Sequence, residues 1–341
     1  MNSLVPAPAE LEAWRAAAAR GQNWLVEEAS RTHAFGQPDA DFNWFAKVPW
    51  CLAGSGRHGD ALRLLTRMER GLQDGSLRWP QQTEWTNAAP YALGWMVSGA
   101  RLCERFRFAR WLYQQLQSYV CPSTNAIESA PPEQRARFRY FDISIQGAAM
   151  HAALFMGDLN AATCLGDFVN SWLEKQPESP QLFTHFHPDL GYLTDFTEDN
   201  RAQRVFSPEA SRQPFANLGF VLQGLIRTSE ATGDPRFLST GRKLLDQLLC
   251  VYSDDLLKHS QNHKVGHAAI LLFRDTGDEV YLQAGLTIAR RVAQSIQSDG
   301  RALADVFYHS INEQPAYTSV RTTCDSVLWL QQITDELESM T

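Results

Sequence analysis

The chain has 341 residues, of which 44% are hydrophobic and 20% charged, and a formal net charge of −7 at pH 7. This acidic balance, without a basic run, argues against nucleic acid as the main partner. There is no uninterrupted apolar stretch of 18 residues and no signal-peptide pattern at the amino terminus, so we expect no membrane partner. The six cysteines are dispersed without a C-x-x-C pair, which favours reduced thiols in a cytoplasmic protein.

In chain order, the apolar pattern predicts two kinds of helix in strict alternation. Helices with one apolar stripe and a charged face are typical of an outer layer, whereas helices that are apolar nearly all round are buried on both faces. Outer helices are predicted near 9–31, 59–73, 102–119, 159–175, 236–251 and 279–297. Inner helices are predicted near 43–55, 86–100, 142–156, 214–231, 262–275 and 318–337.

Two turns share the pattern T-G-D-x-x-[aromatic]-L and divide an inner helix from an outer one. They contain Gly233 and Asp234 in one case and Gly277 and Asp278 in the other. Each glycine suits the left-handed position just past a helix end, and each aspartate can cap the next helix. The turns therefore predict repeated helical hairpins.

Twelve alternating helices predict an all-α fold, the (α/α)6 double-layered helical barrel. No linker or change in composition divides the chain, so we expect a single domain over residues 1–341. An open helical solenoid is the alternative.

The long connections all run from an outer helix to an inner one, over 120–141, 176–213 and 298–317. In a closed barrel they gather at one end, together with the N-termini of the inner helices, whose partial positive charge favours anionic groups. We expect the functional site at this end. The 176–213 loop is long enough to act as a lid or to be a solvated acidic loop.

The starts of the inner helices supply the candidate side chains. Histidines, carboxylates and a tyrosine can transfer protons, whereas aromatic, amide and cationic groups can hold a partly apolar or anionic molecule. The predicted catalytic residues are His263, Asp142, Glu84, Tyr140 and Asp41. The predicted substrate contacts are Trp44, Lys47, Trp85, Phe215, Asn217, His267, Arg321 and His187.

Each candidate also has a structural interpretation. An aspartate or glutamate at a helix start can be a cap or a partner of the helix dipole, and the aromatic rings can belong to the core. His263 and His267 share one helix face and could bind zinc, but His-Glu-x-x-His and a third ligand are lacking. We therefore expect neither a metal nor a cofactor.

The Gly-Asp turns, with Gln73-Asp74-Gly75 and Gln297-Ser298-Asp299-Gly300 after outer helices, resemble the toroids of the squalene/terpene cyclase and protein prenyltransferase superfamily. Asp39-Ala40-Asp41-Phe42 supplies two carboxylates of the D-x-D-D acid motif of those cyclases, and the Asp, Cys and His zinc ligands of the prenyltransferases have no counterpart. The T-G-D turns are also similar to those of (α/α)6 carbohydrate-active enzymes, including unsaturated-uronyl hydrolases and N-acylglucosamine 2-epimerase relatives.

Three functions follow as hypotheses. The first is a cofactor-independent enzyme that isomerises or cyclises a partly apolar small molecule in an aromatic central cavity. The alternative is a carbohydrate-active enzyme, either a glycoside hydrolase or a sugar epimerase. The third is a non-catalytic helical scaffold, whose central cavity would be filled by its own side chains.

Overall fold

The computed structural model describes residues 6–31, 45–74, 88–130, 140–178, 180–187, 189, 191–194 and 204–340. Within these ranges, no helix combines the length and the hydropathy that crossing a membrane requires. All six cysteines are free thiols.

Twelve α-helices lie in the described part of the chain, and each overlaps the helix predicted there. The outer helices are α1 (Pro8–Arg31), α3 (His58–Asp74), α5 (Phe106–Gln117), α7 (Leu159–Glu174), α9 (Pro235–Leu256) and α11 (Glu279–Ser295). The inner helices are α2 (Val48–Gly54), α4 (Ala88–Leu102), α6 (Ile143–Met156), α8 (Ala216–Thr232), α10 (His263–Thr276) and α12 (Ala316–Ser339). A 3-10 turn, Ser260–Asn262, directly precedes α10.

The inner helices form a closed ring. Each packs against the next, and α12 returns to pack against α2. Five outer helices follow their inner partners in hairpins, whereas α1 completes the sixth pair by packing against α12 at the other end of the chain. The (α/α)6 barrel is therefore confirmed, and the open solenoid is excluded.

The T-G-D turns have the predicted geometry. Gly233 and Gly277 lie in the left-handed region, with φ of +73° and +72°. Asp234 and Asp278 each accept a hydrogen bond from the backbone N–H two residues ahead, at 3.0 and 3.1 Å. The turns end the inner helices and start the outer ones, as expected.

Small residues allow neighbouring inner helices to approach closely. A Cβ atom added at Gly219 of α8 would lie 2.4 Å from the backbone nitrogen of Val265 in α10. Because no side chain fits there, the two backbones are in direct contact. This approach fixes where the first turn of α10 stands in the ring.

The 176–213 loop contains most of the strand structure in the described residues. A three-stranded antiparallel sheet has the order β1 (Phe141–Asp142), β3 (His185–His187) and β4 (Gly191–Tyr192), and β2 (Leu182–Phe183) pairs with β5 (Val205–Phe206). Asp142 is opposite His185 in this register. Within the loop, β3 and β4 form a short hairpin, and β1 attaches this hairpin to the start of α6.

One ring-bearing side chain from each inner helix meets at the barrel axis. The centroids of His151 and Phe220 are 4.3 Å apart, and those of Trp95 and Phe220 are 4.9 Å apart. His267 lies 5.3 Å from Trp329. We call these six residues the central cluster: Trp50, Trp95, His151, Phe220, His267 and Trp329.

Candidate functional site

A cavity of about 350 Å³ opens at the end of the barrel where the inner helices begin. An outer helix returns the chain between successive inner helices, so all six inner helices point the same way and their N-termini face this end. We call it the upper cavity. Its lining includes Lys47, Tyr91, Asp142, Asn217, Gln261, His263, Lys264, Phe307, Tyr308, Tyr317, Arg321 and Asp325.

Asp325 of α12 is the central charged group of this lining. Its Oδ2 lies 2.5 Å from Nζ of Lys47 and 4.0 Å from Nε2 of His263, and its Oδ1 lies 3.5 Å from Nζ of Lys264. All four side chains are buried. One carboxylate therefore joins the starts of the first and fifth inner helices to the sixth.

The charges of this group are mutually dependent. Burial alone would raise the pKa of Asp325, but the neighbouring Lys264 and Lys47 outweigh it and hold the pKa below its ordinary value. Burial lowers the pKa of Lys264, although Asp325 partly opposes that effect. Asp325 is thus a carboxylate at neutral pH, and Lys264 gives up its proton more readily than an exposed lysine.

Two further groups have shifted proton affinities. Burial, followed by the charge of Lys264, places the pKa of His263 well below its ordinary value, so the imidazole is neutral. Burial would raise the pKa of Tyr91, but the charges of Lys264 and Lys47 lower it overall. Neither ring nitrogen of His263 has a hydrogen-bond partner among the described residues. The imidazole is therefore available to a bound molecule.

Two lysines of the upper cavity contact aromatic rings of the central cluster. Nζ of Lys47 lies 4.8 Å from the centroid of the Trp95 ring, and Nζ of Lys264 lies 5.5 Å from the same ring and 5.8 Å from that of Phe220. These cation–π contacts help to stabilise two buried ammonium groups that, among the described residues, share the carboxylate of Asp325.

Asp142 lines the cavity and also caps α6. Its Oδ1 accepts hydrogen bonds from the backbone N–H of Ser144 at 2.8 Å and from the Ser144 hydroxyl at 2.7 Å. Its Oδ2 lies 3.6 Å from Nε2 of His185, a residue of the 176–213 loop. The cap predicted from the sequence is present, and it does not prevent the carboxylate from facing the cavity.

His259 holds together the rim of the upper cavity. It directly precedes the 3-10 turn that leads into α10. Its Nε2 lies 3.4 Å from Asp255 and its Nδ1 lies 3.8 Å from Asp305. Donation from the imidazole to these two carboxylates raises the pKa of His259 to about 9. Arg212 donates to the backbone oxygens of Asp305 and Tyr308 at 2.6 and 3.3 Å. These contacts fix the 298–317 loop, which carries Phe307 and Tyr308 to the cavity.

The structure brings together five of the residues selected from the sequence, and it places four others elsewhere. Tyr140 stacks on His185, and Phe215 is fully buried against Phe206. His187 accepts a hydrogen bond from the backbone of Asp189 within the hairpin, and His267 belongs to the central cluster and does not line the upper cavity. The five in the upper cavity are Lys47, Asp142, Asn217, His263 and Arg321. Asp41, Trp44, Glu84 and Trp85 lie outside the described residues.

Sequence reasoning did not select Asp325, Lys264 or Tyr91. The available signal for Asp325 was a carboxylate just before the apolar run at 327–330 of an inner helix, four residues after Arg321 and therefore on the same face. A buried carboxylate needs a buried partner, which would have directed attention to the lysines at other inner-helix starts. No cluster of three His, Cys, Asp or Glu side chains suited to a metal ion occurs in the described ranges.

No protein-family model matches the chain, and no curated protein sequence matches it. Solved structures do match the chain. An alpha-1,6-mannanase from Salegentibacter matches with a TM-score of 0.63 at 12% identity, over 94% of this chain and 99% of the mannanase. The unsaturated glucuronyl hydrolase of Bacillus sp. GL1 matches with a TM-score of 0.63 at 10% identity, over 93% and 97%.

A possible member of the GH105 family from Klebsiella pneumoniae matches with a TM-score of 0.57 at 11% identity, over 98% of this chain and 95% of that one. At such identities the likeness shows the toroid fold alone. These structures agree with the resemblance to (α/α)6 carbohydrate-active enzymes. They give no support to the resemblance to terpene cyclases and prenyltransferases.

Proposed function

We propose that this chain is a carbohydrate-active enzyme that binds an anionic sugar in the upper cavity and transfers protons to and from it. The observation that carries the proposal is the ionised Asp325 between Lys47 and Lys264, with the neutral His263 beside it. The cavity volume of about 350 Å³ is in the range of small-molecule sites.

The charge balance of the lining favours an anionic ligand. Its described residues include three cationic side chains, Lys47, Lys264 and Arg321, and two carboxylates, Asp142 and Asp325. The N-termini of the inner helices add partial positive charge. A ligand carboxylate or phosphate would compensate this excess, whereas a cationic ligand would increase it.

The shifted pKa values favour proton transfer at carbon. Neutral His263 has a free lone pair, and Lys264 and Tyr91 both have lowered pKa values, so each of these two gives up its proton more readily than an exposed counterpart. In the proposed step, one of these bases removes the C–H proton next to a carbonyl or carboxylate. Lys47 and Arg321 stabilise the enolate charge, and return of the proton to that or a neighbouring carbon gives the epimer or isomer.

The rim suits a sugar. Phe307 is 56% exposed although it lines the cavity, and Tyr308 and Tyr317 lie beside it. Exposed aromatic faces stack on the apolar faces of sugar rings, and the amides of Asn217 and Gln261 can bond to hydroxyl groups. The mannanase and the glucuronyl hydrolase that share the fold act on carbohydrates.

Glycoside hydrolysis is the second candidate, because the structural neighbours include hydrolases and Asp142 lines the cavity. A glycosidase needs one protonated carboxyl group to donate to the leaving oxygen. Asp325 is unsuited to that role because the two lysines keep it ionised. Among the described residues that line the cavity, this leaves Asp142 as the candidate acid.

The polar lining gives less support to cyclisation of a partly apolar intermediate. The aromatic rings of the central cluster pack against one another, and none of the six cluster residues lines the upper cavity. A scaffold is also disfavoured, because its cavity would be filled and the upper cavity is open.

Solvent exchange followed by NMR tests the proposal. The protein is incubated in D2O with hexuronic acids, N-acetylated sugar acids and the matching neutral sugars. We expect deuterium at a carbon next to the carboxylate or carbonyl of an acidic sugar, none with its neutral counterpart, and loss of exchange in His263→Ala but not in the control His58→Ala. Cleavage of a glycosidic bond without exchange would replace the proposal by the hydrolase, and exchange that prefers the neutral sugars would overturn it.

A further inference from the structure

A second cavity, of about 500 Å³, lies at the opposite end of the barrel, beneath the central cluster. We call it the lower cavity. Inner helices line it towards their C-terminal ends, and it shares no lining residue with the upper cavity. Its lining includes Trp50, His151, Phe155, His267 and Trp329, with Arg227 at the rim.

The walls of the lower cavity carry polar atoms that lack partners. Nε2 of His151, both ring nitrogens of His267 and Nε1 of Trp329 make no hydrogen bond within the described part of the chain. The three side chains are only 7%, 3% and 1% exposed. A buried polar atom without a partner costs about 1–3 kcal/mol, so a molecule that supplies the missing bonds would bind favourably.

Both histidines are neutral. Burial lowers the pKa of His151 to about 3 and places that of His267 well below its ordinary value. The backbone of Phe220 partly opposes this effect on His151, as a carbonyl oxygen close to the imidazole does. Because a neutral imidazole carries its proton on the nitrogen nearer such a carbonyl, the unpartnered Nε2 is an acceptor. Trp329 Nε1, in contrast, can only donate.

The charged residues at the rim compensate one another. Arg227 pairs with Glu230 at 2.9 Å and with Glu336 at 2.5 Å. Arg274 pairs with Glu336 at 2.9 Å and also with Glu230. Arg274 also pairs with Asp275 at 3.0 Å, so both arginines are fully paired with carboxylates and neither is left to bind an anionic ligand. In this respect the lower cavity differs from the upper one.

We propose that the lower cavity binds a small, uncharged aromatic molecule that carries a hydroxyl group. The rings of Trp50, Phe155 and Trp329 provide faces and edges for an aromatic ligand. The hydroxyl donates to Nε2 of His151 and accepts from Nε1 of Trp329 or a nitrogen of His267. A neutral hexose fits less well, because its several hydroxyl groups exceed the few unpartnered polar atoms of the walls.

Equilibrium dialysis with 2-naphthol tests this proposal, with naphthalene, 2-naphthoate and glucose as comparison probes. We expect 2-naphthol to bind at one site, at least tenfold more tightly than naphthalene, which lacks the hydroxyl, and than 2-naphthoate, which is charged. His151→Phe keeps an aromatic ring and removes the acceptor, so it should weaken 2-naphthol binding by at least tenfold and leave naphthalene binding unchanged.

A second variant locates the site without disturbing the core. Ala231 is exposed and lines the lower cavity at its rim. Ala231→Trp should block binding, whereas the matched substitution Ala9→Trp, at an exposed position of α1, should not. Absence of 2-naphthol binding by the unmodified protein, equal binding by Ala231→Trp, or preferred binding of glucose would each overturn the proposal. The proposed activity of the upper cavity is untouched by any of these results.

Discussion

Nζ of Lys47 lies 2.5 Å from Oδ2 of Asp325, although 278 residues separate the two in the sequence. Lys47 directly precedes α2, the first inner helix, and Asp325 lies within α12, the last. The pair therefore crosses the seam where the ring of inner helices closes. Closure of the barrel and assembly of the candidate site depend on the same contact.

We predict that Asp325→Asn lowers both stability and activity. The amide keeps the shape of the side chain but leaves Lys47 and Lys264 buried without a counter-charge. Breaking a buried ion pair in this way costs about 3–5 kcal/mol. Denaturant unfolding followed by circular dichroism measures the loss, and turnover is measured at a temperature where the variant is folded.

Asp254→Asn is the matched control for this change, since Asp254 is an exposed residue of α9. We expect its free energy of unfolding to stay within about 0.5 kcal/mol of the unmodified protein. An Asp325→Asn variant as stable as this control would show that the two lysines do not need the carboxylate.

The two layers of the barrel were predictable because outer and inner helices differ in their pattern of apolar residues. A helix buried on one face has one apolar stripe, whereas a helix buried on all faces is apolar nearly all round. The site was only partly predictable. Arg321 and His263 stand at helix starts and could be selected there, whereas Asp325 lies deeper in α12 and acquires its role only when Lys47 meets it across the seam. A local sequence pattern around Asp325 contains no information about Lys47, which is 278 residues away.

The separation of His263 from His267 shows a second limit of local patterns. Their spacing places them on one face of α10, which is correct, since both face the barrel axis. Four residues of helix also span about 6 Å along the axis. His267 belongs to the central cluster, one helical turn away from His263, so the two imidazoles line different cavities.

We predict that His263→Ala lowers turnover by about 10²- to 10⁴-fold, the usual contribution of a general acid or base. Asp142→Asn tests the second catalytic candidate in the upper cavity. Asparagine is as good a helix cap as aspartate, so stability should change by less than about 0.5 kcal/mol while any role of the negative charge is lost. Steady-state kinetics of the proposed exchange reaction measure the turnover of each variant against the unmodified protein. Full turnover in both variants would contradict the catalytic assignment.

The third prediction concerns pH and His259, whose folded pKa of about 9 exceeds the ordinary value of 6.5. A raised folded pKa contributes stability that is complete below about pH 6.5 and is lost as the pH rises to 9. The groups that face this imidazole are Asp255 and Asp305, with Arg212 beside them. We expect the free energy of unfolding to fall by about 1–2 kcal/mol across this interval, a figure reduced for partial exposure.

His259→Gln should remove most of that decline, because glutamine does not titrate. The buried His151, His263 and His267 act in a different range: their lowered pKa values contribute stability above pH 6.5 that is lost as the pH falls. Urea unfolding at half-unit steps from pH 5 to 10 separates the two effects. An unchanged decline between pH 6.5 and 9 in the variant would show that His259 is not its cause.

The last prediction concerns the T-G-D turns, which lie at the end of the barrel away from the upper cavity. Gly233→Ala and Gly277→Ala place a Cβ atom on residues whose φ exceeds +70°, which costs about 1–2 kcal/mol at each position. Gly59→Ala is the matched control, because Gly59 lies in the first turn of α3, where an added Cβ meets nothing closer than 3.7 Å. There the same substitution should stabilise the protein by up to about 1 kcal/mol.

The turns cap helices and contact no residue of the upper cavity, so turnover per folded molecule should be unchanged in all three variants. A turn variant that remains folded but loses turnover would mean that the geometry of the upper cavity depends on the opposite end of the inner helices.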